Sequence, residues 1–140
     1  MNQDFSKKLA IIVRQDLPQW QILNAIAHIS AYIGYKLGNN FGTGEFFLAA
    51  DSSRYPRNSQ YPFIILAGNK DNLKELWQAA EKTDFPRISF IREMIETTDD
   101  NEIEKILSTK TKEEIEPLGI GIFGPKEEIS TLTKEFPLFK

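Results

Sequence analysis

Leu9 to Val13 form an unbroken apolar run rich in β-branched residues, the pattern of a strand covered on both faces. Arg14, Gln15 and Asp16 end the run, and Pro18 suits the first turn of a helix, where its missing N–H is no loss. From there Ile22, Ile26, Ile29, Ile33 and Leu37 recur at helical spacing and predict an apolar stripe lying on a sheet. Leu23, Ala27, Ser30, Ala31 and Gly34 widen that face, mostly with small residues. At ~100° per residue, Gln21, Asn24, His28 and Tyr35 fall together on the other side. Gly38-Asn39-Asn40 then stops the helix, because Gly and Asn tolerate the left-handed cap conformation.

The same reading continues along the chain. A short strand is expected at Glu45–Ala50, a polar loop at Asp51–Gln60 and a second fully apolar strand at Tyr61–Ala67. Gly68 to Asp71 caps a helix with the core stripe Leu73, Leu76, Trp77 and Ala80. A strand is predicted at Phe85–Ile91, a short helix at Asn101–Leu107 and a weaker one at Lys110–Ile115. Pro117–Phe123 reads as the last strand, and Gly124-Pro125 opens a final helix with Ile129 and Leu132. Strands alternating with helices predict a three-layer α/β sandwich, a mixed sheet of roughly four to five strands covered by helices on both faces. With 140 residues and no divider in the sequence, a single domain over residues 1–140 is expected.

Composition narrows the chemistry. There is no cysteine, which removes disulfides and thiolate metal sites. No apolar run approaches the roughly 20 residues of a membrane span, and the start, MNQDFSKK, lacks a signal-like apolar segment. The expectation is a soluble cytoplasmic protein. The net charge of −3 is unevenly spread: residues 93–116 carry nine acids against three lysines. Such an acidic segment disfavours nucleic acid, whose phosphates need a basic patch. Arg14, Lys36, Arg54 and Arg57 are the residues from which a local one would be built.

His28 is the only histidine, and no G-x-S-x-G nucleophile elbow is present. A lone histidine on a helix flank is most simply a packing or hydrogen-bonding residue, and a zinc site needs several such ligands; no metal is expected. Gly119-x-Gly121-x-x-Gly124 matches the letters of a dinucleotide fingerprint, but its first two glycines sit inside an apolar strand and too little chain follows. Glycines there serve close packing, and no cofactor is expected. Asp99-Asp100-Asn101-Glu102 lacks the glycine and distal glutamate of a calcium loop and reads as an acidic helix start. Glu93 and Thr97 directly follow a buried strand, where α/β sheets place ligand sites. There a carboxylate can orient water and a hydroxyl can donate to an oxyanion; the simpler reading is a surface glutamate and a capping threonine.

Three blocks carry a resemblance. KLAIIVRQDLPQWQILNAIAHISA resembles the strand–R-x-D-L–helix start of type II peptidyl-tRNA hydrolases, and PLGIGIFGPKEEISTLTKEFPLF resembles their closing strand, Gly-Pro turn and helix. FIREMIETTDD resembles an E-[ML]-x-x-T element of a sister family, the domain of unknown function two thousand. The likeness to that family is the closer one, through Leu17, Trp20-Gln21, Leu23-Asn24, Glu93-Met94, Thr97 and the spacing Gly119 to Gly124-Pro125.

The resemblance implies a peptidyl-tRNA hydrolase II-like sandwich with a cleft lined by Asp16, Gln21, Asn24, His28, Glu93 and Thr97. It implies Glu93, Thr97 and Asn24 as catalytic candidates, with Asp16, Gln21 and His28 binding ligand. The hydrolases carry a lysine on the first helix that is implicated in catalysis, and alignment on His28 puts Gln21 in its place. Gln cannot supply the cation. The expected function is therefore small-molecule binding, or hydrolase-like chemistry, at a neutral polar cleft. The alternatives are an ester hydrolase acting on peptidyl- or aminoacyl-tRNA, and a non-catalytic interaction module forming a homodimer.

Overall fold

Strand β1 (Lys7–Arg14) lies inside a four-stranded sheet, between β4 (Phe63–Gly68) and β6 (Pro117–Pro125), with β5 (Arg87–Ile91) beyond β6 at the edge. This computed structural model describes residues 2–140. β1 runs parallel to β4 and antiparallel to β6, and β5 is antiparallel to β6. β1, β4 and β5 therefore point the same way and end along one edge of the sheet. Ile11 stands opposite Ile65 on one side and Gly121 on the other. β1 and β6 are flanked by strands and covered on both faces, which is why each reads as a continuous apolar run.

The period of two sorts these residues into two cores. Leu9, Ile11 and Val13 face helix α1 (Gln19–Leu37), and Ala10 and Ile12 face α2 (Lys70–Ala80) and α5 (Lys126–Leu132). The mixed sheet with helices on both faces agrees with the sequence reading. On β6, Ile120 and Ile122 fill the α2/α5 side, and Gly119 and Gly121 lie under Ile29 of α1. Those glycines let the helix settle onto the sheet.

The buried line of α1 is Ile22, Ala25, Ile29 and Ile33; Ile26 and Leu37, expected in the stripe, are only half-buried. The helix is rotated toward Ala25 as Ile29 seats on the two glycines, and Ala25 and Ile33, four away on either side, and Ile22, seven away, complete the line.

The region 45–60 differs from expectation. β2 (Phe46–Leu48) and β3 (Arg54–Pro56) form a separate two-stranded hairpin, so the predicted loop contains a strand and the main sheet has four. Ser52 takes a left-handed φ of 68° in its turn. Phe47, Leu48 and Tyr55 are exposed on this arm, and the Arg57 guanidinium lies 4.6 Å from the Phe47 ring centre.

Two short elements also depart from the reading. Arg92–Glu96 is a helix, α3, directly after β5, and α4 follows at Asp100–Leu107. The helix expected at Lys110–Ile115 is a single 3-10 turn at Lys112–Glu114, closed by Thr111 and Glu114. One turn is all that fits before Pro117 enters β6.

Candidate functional site

β5 has a strand neighbour on one side only, and α1 covers only part of its face. α3 and α4 rise beyond it, leaving a cleft of about 1010 Å³ between them and α1. The period of two sends Ile88 and Phe90 of β5 to its floor. The flank of α1 supplies Trp20, Asn24, His28, Tyr32 and Tyr35, spaced three and four apart so that they share one side. Met94, Ile95 and Thr97 come from α3 and its cap, and Ile103 and Leu107 from α4.

The His28 ring stacks on Phe90, with centres 5.2 Å apart and planes 17° from parallel. Thr97 donates its hydroxyl to Glu102 at 2.8 Å and accepts from the Asp99 amide at 3.3 Å. Asp100 and Glu104 add acidic groups to the lining. The lining contains no serine or cysteine. Its chemistry is that of an aromatic trough with one amide, one imidazole and several hydroxyls, groups that donate and accept hydrogen bonds, beside the two carboxylates at one side.

Of the six residues expected to converge, Asn24, His28 and Thr97 share this cleft. Asp16 and Gln21 belong to a charged network at the ends of the parallel strands. Arg14, nearly buried, is held by Asp16 at 2.6 Å and by Glu116. Arg92 pairs with the same Glu116 at 3.2 Å and donates to Gln21 at 3.4 Å. The Arg92 hydrogen bond, opposed by partial burial and aided by Arg14, pulls the Glu116 carboxyl from 4.5 down to about 2. Arg14 likewise holds Asp16 below the ordinary carboxylate range and is itself raised by it.

Glu93 is the sixth, and it is not a surface glutamate: it is 2% exposed. Its Oε1 takes a 2.5 Å ion pair from Lys110, which raises the Lys110 ammonium, and its Oε2 is buried without a partner. Glu93 and Thr97 are four apart, yet Thr97 lines the cleft and Glu93 does not. Arg14, likewise, is spent in ion pairs and contributes to no basic surface.

The residues sequence reasoning missed are of two kinds. Trp20 lies on the Asn24–His28 side of α1, and its spacing carried that signal. Arg92, Lys110 and Glu116 had none: Arg14 and Glu116 are 102 positions apart. Among the described residues no group of three or more metal-ligating side chains is clustered, and no helix is long and apolar enough to cross a membrane.

A family model described as "Protein of unknown function (DUF2000)" matches residues 7–140. No curated protein matches the chain. A solved structure of a protein of unknown function from Agrobacterium tumefaciens, Atu0240, is similar with a TM-score of 0.85 at 24% identity. The match covers 98% of this chain and all of that one, and it speaks to the fold alone.

Proposed function

The chain belongs to the DUF2000 family, and we propose that it is a small-molecule-binding protein whose site is the cleft between α1 and α3–α4. The observation that carries this reading is the His28–Phe90 stack on the cleft floor, with Asn24 and Thr97 in the same lining. Concave sites with apolar walls and a few convergent polar groups are the usual form of a ligand pocket. The fitting ligand has a flat apolar body for the aromatic walls and a neutral hydrogen-bonding end for Asn24 and His28. The ordered ion pairs at Arg14, Arg92 and Glu116 brace the strand ends behind the cleft.

Hydrolysis of an ester such as peptidyl- or aminoacyl-tRNA, in a peptidyl-tRNA hydrolase II-like fold, is the second reading. One observation favours it: Arg92 reaches Gln21, bringing a cation to the position where the hydrolases carry lysine. Against it, Glu116 neutralises Arg92 and Lys110 occupies Glu93, so neither group is free to act.

Titration with acetanilide, a neutral ring–amide probe, followed through backbone amide shifts, tests the binding reading. Saturable shifts are expected at Asn24, His28 and Ile103, weakened in Asn24→Ala and His28→Ala. Both side chains lie at the protein surface or only part-buried, so the variants should keep the fold. Shifts scattered elsewhere, or affinity in both variants unchanged from the parent, would remove the proposed site.

A further inference from the structure

The other face of β5 holds a second hollow that the cleft does not use. Alternation turns Ser89 and Ile91 away from Phe90 and toward the α2 side. α2 packs on β6 and β1, so beyond it the roof over β5 is the segment 110–116. That segment is pinned by polar contacts: Lys110 to Glu93 at 2.5 Å, Lys112 to Glu81 at 2.8 Å, and the Glu113 carbonyl to Lys74 Nζ at 2.6 Å. Glu116 adds its pairs with Arg92 and Arg14.

Beneath this strap a hollow of about 300 Å³ is walled by Trp77, Ile91, Ile115 and Pro117. The hollow opens to solvent beside the exposed Gln78, Lys112 and Glu113, and it is large enough for a ring system. Trp77 lines it, and indole rings favour stacked or edge-on aromatic partners. Ser89 and Gln78 offer hydrogen bonds.

The charges select the ligand's head. Lys112 is neutralised by Glu81. Lys74 donates to a backbone carbonyl, which cancels no charge, and has no ion pair among the described residues. An ammonium has three donors, so two remain for an incoming anion. The exposed Glu113 carboxylate, also in the lining, opposes one.

We propose that the hollow under the 110–116 strap is a second binding site, for a small planar aromatic carboxylate, its ring against Trp77 and its carboxylate at Lys74. It is separated from the α1 cleft by the thickness of the sheet and does not depend on that cleft binding anything.

The test is a titration of the full chain with indole-3-carboxylate, read by amide and indole N–H shifts, beside the uncharged indole-3-carboxamide. Saturable shifts are expected at Trp77, Ser89, Ile91 and Ile115, with the acid bound more tightly than the amide. Lys74→Gln should weaken the acid about two- to fivefold, the range of a solvent-screened charge pair, and Glu113→Gln should tighten it by a similar factor. Neither variant touches the buried core. Unchanged affinity in Lys74→Gln, shifts confined to Trp20, His28 and Phe90, or no saturation up to the probe's solubility would each overturn the proposal.

Discussion

Ile29 of α1 is seated directly on Gly121 of β6: a β-carbon on that glycine would overlap the Ile29 Cγ2 methyl far inside van der Waals contact. The methyl is branched at Cβ and cannot swing away. At Gly119 the same construction meets Ile29 Cδ1 and Val13 Cγ1 at 3.1 Å, which small shifts can relieve. Gly121→Ala should therefore destabilise by about 1–3 kcal/mol or more, the range for overpacking a filled core. Gly119→Ala should cost less. In an Ile29→Ala background the Gly121→Ala penalty should largely vanish, and chemical denaturation of the four-member cycle measures the coupling.

The rotation of α1 makes a second test. Ile29 is fully buried and Ile26 only half-buried, so a carboxylate at the first faces the full desolvation penalty and at the second can reach water. Ile29→Asp is expected to leave no cooperative thermal transition. Ile26→Asp should stay folded with a lowered Tm, and equal outcomes would show that both residues face the core alike.

Glu116 gives a pH dependence whose sign is fixed by linkage. Above pH 4.5 the carboxyl is ionised in folded and unfolded chains, and its contribution to stability is fully present. Between 4.5 and about 2 the unfolded chain takes up a proton that the folded one, held by Arg92 and Arg14, refuses. The unfolded state then binds more protons, and stability falls as the pH falls. Glu116→Gln should be less stable than the parent at pH 7 and approach it toward pH 2. A gap in Tm that stays constant across that window would count against the network.

The Glu93–Lys110 pair predicts a rescue. Lys110→Met leaves a carboxylate that is 3% exposed in its side chain with no cation, and orphaned buried charges are strongly destabilising. Adding Glu93→Gln removes the charge, so the double variant should melt above Lys110→Met alone. A double variant that is the less stable of the two would mean the pair contributes nothing beyond two independent contacts.

Binding of tRNA should be weak at physiological salt. Arg14 is buried in ion pairs, leaving Arg54 and Arg57 on the hairpin without it, and residues 93–116 are strongly acidic. Phosphate binding scales with the number of neutralising Lys and Arg side chains. Sub-micromolar affinity with a steep salt dependence, measured by filter binding, would revive the ester-hydrolase reading.

Local periodicity was enough to place the central strands and the long helix. Leu9–Val13 and Leu118–Phe123 are apolar on both faces because both faces are covered, and each residue carries that requirement in its own side chain. The α1 residues Asn24 and His28 were legible as partners because a helix of fixed pitch puts positions four apart on one side. The fate of Glu93 was not legible. Whether a glutamate after a strand meets solvent, substrate or Lys110 depends on where a loop seventeen positions later returns. Arg14 and Glu116 are further apart still, and no period in the chain joins them. The two hollows beside β5 are likewise products of assembly: they exist because α1 and α2 pack chiefly on β6, leaving part of the edge strand to be roofed by α3, α4 and the 110–116 strap. Helical pitch and strand alternation act over a few residues and are written into the sequence; the spaces left between packed layers arise only when distant segments meet.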